Sequence, residues 1–123
     1  MKYKTITWKE LQEHVKLIAD SVRTDGFKPT GIYGMPRGGL VPAVILSHEL
    51  NVPLLLAPCK GCLVVDDIAD SGVTLQHFAE CNYRIAVIWW KPRSKVQPTY
   101  WAECGDEDGA WIVFPWETPV KEK

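Results

Sequence analysis

Residues 63–75 constrain this chain more than any other stretch. They read Leu-Val-Val-Asp-Asp-Ile-Ala-Asp-Ser-Gly-Val-Thr-Leu. The apolar run Leu63-Val64-Val65 has strand character and ends in two adjacent carboxylates, Asp66 and Asp67. A short Asp70-Ser71-Gly72 loop then opens a segment, residues 74–81, that can be helical. In such a turn the backbone N–H groups of Ser71, Gly72, Val73 and Thr74 lack helical partners and converge where the helix dipole is positive, so the turn suits a phosphate. Ser71 and Thr74 add hydroxyl donors, and Gly72 allows a positive φ and a close approach of backbone to anion. The carboxylates would repel a phosphate. They must face sugar hydroxyls, a divalent cation, or both.

A second glycine-rich turn precedes this one. Gly31-Ile32-Tyr33 reads as a short buried strand leading into Gly34-Met35-Pro36-Arg37-Gly38-Gly39, and the apolar segment 40–50 follows as a helix. This is again a strand, an anion loop and a helix N-terminus, with Arg37 placed to clamp an oxyanion. The glycine spacing is not G-x-G-x-x-G, and no Gly-Lys-Ser/Thr closes the loop, so neither a dinucleotide fingerprint nor a P-loop is present. Two anion loops flanking an acid pair match one small molecule in particular, a ribose 5-phosphate that carries a Mg-bound pyrophosphate.

The 123 residues predict one domain, 1–123, and 46% hydrophobic residues suffice for a modest core. With a net charge of −1 and interspersed signs, a general nucleic-acid binder or membrane-surface protein is not expected, and any anion site is local. No signal-peptide pattern and no apolar run near the ~20 residues of a membrane span occur, which predicts a cytoplasmic protein. Cys59 and Cys62 share a C-x-x-C spacing that would serve half a zinc site or a redox pair, but Cys81 and Cys104 do not repeat it. Inert thiols are the better reading. His14, His48 and His77 fall in predicted helices and read as surface or packing residues.

Thr7-Trp8-Lys9-Glu10 is a capping box. Leu11, Val15, Ile18 and Val22 then share one helical face, and Asp25-Gly26 ends the helix. Residues 54–57 read as a strand buried on both faces and residues 84–90 as another. Residues 91–109 read as polar and turn-rich. Strands alternating with helices predict an α/β fold, a mainly parallel sheet flanked by helices, with the loops after Tyr33, Val65 and Trp90 on one rim. Six tryptophans are many for this length. Trp89 and Trp116 are expected in the core.

Residues 63–75 resemble the phosphoribosyl-pyrophosphate (PRPP) signature of the type I phosphoribosyltransferases, and residues 34–39 resemble the pyrophosphate loop of the 6-oxopurine members. Lys91-Pro92, Trp111-Ile112 and Pro115-Trp116-Glu117 are similar in order and spacing to the tail of the xanthine-guanine type. The resemblance implies the family fold with a small C-terminal hood over the base. It implies PRPP binding by Gly34, Met35, Arg37, Gly38 and Gly39, and by Asp66, Asp67, Ala69, Ser71, Gly72, Val73 and Thr74. By the same resemblance Asp67 touches Mg²⁺ and Asp70 exchanges a proton with the base. Lys91 then bonds the base O6, Trp111 stacks on the ring, and the Ile112 carbonyl reads its other edge. The implied reaction transfers phosphoribosyl from PRPP to guanine, xanthine or hypoxanthine and releases pyrophosphate. One departure stands out: residues 57–62 leave no room for the mobile segment with which the family covers its reacting centre. A non-catalytic PRPP- or nucleotide-binding regulatory protein is the alternative this raises. So is a homodimer or higher homo-oligomer with a shared cover, for which Tyr100 and Trp101 are the expected exposed contacts.

Overall fold

A computed structural model describes residues 2–118. The capping box forms as expected: Thr7 Oγ1 accepts the Glu10 amide at 3.1 Å and Glu10 Oε1 accepts the Thr7 amide at 3.1 Å. Helix α1 follows as Trp8–Thr24 and buries Leu11, Val15, Ile18 and Val22, the stripe that the 3.6-residue period marks out. Strand β2 (Ile32–Gly34) leads through the glycine-rich turn to α2 (Leu40–Leu50) and β3 (Leu54–Leu55). Strand β4 (Leu63–Ala69), α3 (Val73–Glu80) and β5 (Arg84–Trp90) complete the repeating unit. Two further strands are β6 (Tyr100–Cys104) and β7 (Trp111–Val113), with a short 3₁₀ turn between them.

The main sheet has the order β3-β2-β4-β5-β6, parallel throughout. The chain leaves β2 through α2 for an outer position and returns to the other side of β2 with β4. The crevice between β2 and β4 is therefore the topological switch point, where open α/β sheets hold their ligands. Helices α1 and α2 cover one face over Leu63, Val65, Ala86 and Ile88; Leu75 of α3 covers the other over Val64, Ile85 and Val87.

That alternation slips by one residue at the acid pair. Beyond Asp66 and Asp67, Ile68 joins the first core and Ala69 the second, the reverse of strict period two, and β5 slips in step so that Ile88 and Trp89 share a core. The register stays constant. At the slip the amides of Asp67 and Ile68 donate to the carboxylates of the residues before them, at 2.8 and 2.9 Å.

Three sequence expectations are corrected. Residues 54–57 are not a strand buried on both faces: β3 is two residues long at the sheet edge, and Leu56 is 99% exposed. Residues 91–109 are turn-rich as read and also hold β6, which closes the opposite edge. The exposed contact expected at Tyr100 fails, because Tyr100 is 5% exposed and its hydroxyl donates to Asp25 Oδ2 at 2.6 Å. The hood is also not purely C-terminal. Strand β1 (Tyr3–Thr5), which the sequence reading left without structure, pairs in parallel with β7. Among the described residues no helix is long and apolar enough to cross a membrane.

Candidate active site

The turns after β2, β4 and β5 meet on the rim formed by the strands' carboxyl ends. In the first, absent side chains decide the fit. A Cβ on Gly34 would meet the Ala43 side chain at 2.7 Å, and one on Gly39 would meet the Met35 amide nitrogen at 2.8 Å and also strike the Val65 carbonyl oxygen. A Cβ on Gly38 would run into the Asp67 carboxylate, whose Cγ lies 2.5 Å from that point. The loop is thus pressed onto β4, and Met35 N donates to Val65 O at 2.8 Å. The Arg37 side chain stays exposed and forms no ion pair among the described residues. It lines a cavity of about 470 Å³ with Gly38, Asp67, Trp116 and Glu117.

In the second turn Gly72 is the N-cap of α3 at φ +79°, the left-handed conformation the sequence anticipated. The first-turn amides of α3 have no intrahelical acceptors, and Ser71, Val73 and Thr74 are exposed beside them. Val73 N reaches Ser71 Oγ at 3.4 Å. Ala69 is buried in the second core and its carbonyl accepts the Lys91 amide at 2.9 Å, so any contact it makes with a ligand is through backbone.

Asp66 is the perturbed group of the rim. Burial first, then the hydrogen bond and negative charge of Asp67, push its carboxyl up to about 8. An acid whose folded-state value is raised loses stability as pH climbs from its ordinary value near 3.8 toward about 8. Asp66→Asn cannot ionise. In protein freed of ligand and metal, it should match the wild type at pH 4 and exceed it at pH 9 by at least about 1.4 kcal/mol, the worth of one pKa unit. Denaturant unfolding at the two pH values measures this, and parallel stability curves for the two proteins would refute it.

The third turn brings up Lys91. Lys91 is 5% exposed, and its Nζ donates to Ala110 O at 3.0 Å, with Asp106 Oδ1 at 3.9 Å. With Asp70, Trp111, Ile112 and Phe114 it lines a cavity of about 120 Å³. Trp111 is 54% exposed at its mouth, free to present a ring face. Asp67 and Glu117 line both this cavity and the larger one at Arg37. The two cavities are therefore neighbours across Asp67 and Glu117. Trp89 lies in the core as expected, and Trp116 stacks on Phe114 with ring centroids 5.1 Å apart.

Two site residues escaped the sequence reading. Arg93 pairs with Asp70, a contact across 23 residues in a segment that reads only as a polar turn. Glu117 was visible as part of a motif, but its place between the two cavities was not. The C-x-x-C turn proves remote. Thr30, which precedes β2 at the opposite rim, donates through its amide to Gly61 O and through its hydroxyl to Lys60 O, both at 3.0 Å. Burial pushes the Cys62 thiol up, against a reactive role. Among the described residues no group of three or more His, Cys, Asp or Glu is placed to hold a metal.

A parallel sheet flanked by helices, with two glycine-bearing strand-to-helix turns and an acid pair at its switch point, defines an open α/β protein whose candidate ligand site lies at the carboxyl ends of its strands. The model of the phosphoribosyl transferase domain matches residues 56–123, and the chain belongs to that family of transferases. A purine phosphoribosyltransferase from Pyrococcus horikoshii superposes with a TM-score of 0.82 at 33% identity, covering 100% of this chain and 99% of that one. The xanthine-guanine phosphoribosyltransferase of Gluconobacter oxydans is 28% identical over 144 residues, 94% of this chain and 85% of its own. An alignment longer than the 123-residue chain means that this relative inserts residues the chain lacks. The xanthine-guanine-hypoxanthine phosphoribosyltransferase of Helicobacter pylori, 19% identical, shares the fold with a TM-score of 0.81 over 94% of each chain.

Proposed function

We propose that this chain transfers the 5-phosphoribosyl group of PRPP to a purine bearing an oxygen at position 6 (guanine, xanthine or hypoxanthine) and releases pyrophosphate, a salvage reaction. The observation that carries the reading is that the cavity at Arg37 and the cavity where Asp70, Lys91 and Trp111 meet share Asp67 and Glu117 as lining residues.

The α3 N-terminus, with Ser71, Gly72, Val73 and Thr74, seats the 5-phosphate. Asp66 and Asp67 hold the ribose hydroxyls. Arg37 and the amides of the Gly34–Gly39 loop, including Met35 and Gly38, hold the leaving pyrophosphate and stabilise its growing charge. Asp70 accepts the ring proton of the base. The Lys91 ammonium keeps two N–H donors beyond the one given to Ala110, so it can donate to O6 but cannot accept from the amino group of adenine. Trp111 stacks on the ring, and the Ile112 carbonyl accepts from its other edge.

The donor set fits a Mg²⁺ ion that arrives with the substrate, since such sites take one or two carboxylates plus phosphate oxygens and Asp67 is pressed against the pyrophosphate loop. When bound, the ion would neutralise charge on the leaving group. A homodimer or larger homo-oligomer is part of the same reading.

The short connector at residues 57–62 favours one other function, a PRPP- or nucleotide-binding regulatory protein that performs no transfer. The presence of Asp70, Lys91 and Trp111 around one cavity supports the enzyme instead. Pyrophosphate release from PRPP, with guanine, xanthine, hypoxanthine and adenine offered separately with Mg²⁺, tests the two. Release with at least one 6-oxopurine, exceeding that with adenine, is expected; PRPP binding without release with any base would establish the regulator.

A further inference from the structure

The Asp70 carboxylate stands immediately before the turn that would seat a phosphate dianion, and it is not left alone. Arg93 Nε donates to Asp70 Oδ1 at 2.6 Å, and Arg93 Nη2 contacts the same oxygen. Both guanidinium nitrogens converge on Oδ1, which leaves Oδ2 to accept from another donor. The segment that bears Arg93 is fastened to this turn. Lys95 N donates to Ser71 O at 2.8 Å, Ser94 N donates to Lys91 O at 2.9 Å, and a Cβ on Gly72 would meet the amide nitrogens of Lys95 and Val96 at 2.8 Å.

We propose that Arg93 is a positioning residue for the transfer: it grips one oxygen of Asp70 and so holds the other toward the base cavity that Lys91 and Trp111 line. This deepens the proposed function and rests on it. The ion pair is exposed, with side-chain accessibilities of 67% for Arg93 and 40% for Asp70, and such pairs add little to folding stability. Its consequence lies in orientation. A free aspartate samples three staggered χ1 wells, and the dianion bound to the neighbouring amides would push its carboxylate away from the turn. The guanidinium fork cancels that charge and selects one rotamer. The proton then moves from a ring nitrogen of the purine to Asp70 Oδ2 while the new bond from the base to the sugar forms and the bond from the sugar to pyrophosphate breaks, pyrophosphate leaving with that electron pair; Arg93 exchanges no proton itself.

The test is steady-state kinetics of Arg93→Ala, Arg93→Lys, Asp70→Asn and the double variant Arg93→Ala/Asp70→Asn, together with PRPP binding by calorimetry. Arg93→Ala should lower kcat about tenfold, the scale of a misplaced reacting group, while its PRPP affinity stays within about twofold of the wild type. Arg93→Lys, which keeps the charge but not the fork, should recover part of the loss. In the Asp70→Asn background Arg93→Ala should change kcat by less than about twofold, because its effect runs through Asp70. The inference is overturned if Arg93→Ala leaves kcat unchanged, if PRPP affinity falls in step with kcat, or if the tenfold loss persists in the Asp70→Asn background. A wild-type protein that releases no pyrophosphate with any base would instead sink the reaction on which the inference rests.

Discussion

Asp70→Asn should lower purine-dependent turnover by a factor of about 10² to 10⁴, the usual worth of one general acid–base group, and should leave PRPP affinity nearly intact. The reason is geometric. Asp70 lines the cavity proposed for the base, beside Lys91 and Trp111, whereas the proposed phosphate seat consists of the amides that follow it. Asparagine keeps the side chain's shape and can still accept one bond from Arg93, but it cannot take up a proton. Single-turnover pyrophosphate release gives the rate, and calorimetric titration with PRPP gives the affinity. If binding and rate fell by the same factor, Asp70 would be a structural member of the turn, and the proton acceptor would have to be sought elsewhere.

Lys91→Met should reduce kcat/KM for the preferred 6-oxopurine about 10- to 150-fold, the equivalent of about 1.5–3 kcal/mol for a hydrogen bond to a charged group. Methionine occupies a similar volume but offers the O6 edge no donor, so a base carbonyl brought into the cavity would stay unpaired. The same change also strips the Ala110 carbonyl of the bond that ties the third turn to the start of β7. Some stability must therefore be lost, on the order of 1–3 kcal/mol. The readout that separates recognition from this structural cost is the ratio of kcat/KM for guanine to that for adenine. Recognition by the ammonium predicts that the ratio collapses toward one. Equal loss for both bases would make Lys91 a brace of the hood.

How much of this was legible from the sequence depends on how far apart the interacting groups lie. Each of the two glycine-bearing turns is one contiguous strand–loop–helix unit. Its glycines, its capping geometry and its carboxylates are set by neighbours a few residues away, so Gly72 at positive φ and the order of β2, α2, β4, α3 and β5 could be read directly. The capping box of α1 is local in the same sense. The edges of the sheet were not legible. Leu54, Leu55 and Leu56 form an apolar run like that of a central strand, and only the sheet order makes β3 an edge. Strand β6 carries no strict alternation, because its burial is settled by packing against α1 and by the bond from Tyr100 to Asp25 across 75 residues.

The candidate site divides along the same line. The sequence by itself determined the available groups: two glycine-bearing strand-to-helix turns, an acid pair, an ammonium and an aromatic ring, each a property of short segments. Tertiary structure alone decided which of them share a cavity. It set Glu117 in the wall of both the Arg37 and the Lys91 cavity, paired β1 with the strand that bears Trp111, and brought Arg93 onto Asp70. It also fastened the short connector to Thr30 on the far rim, where it can cover nothing. These placements join residues that are far apart in sequence, and their geometry is fixed by the packing of two cores against one sheet, which no single stretch encodes.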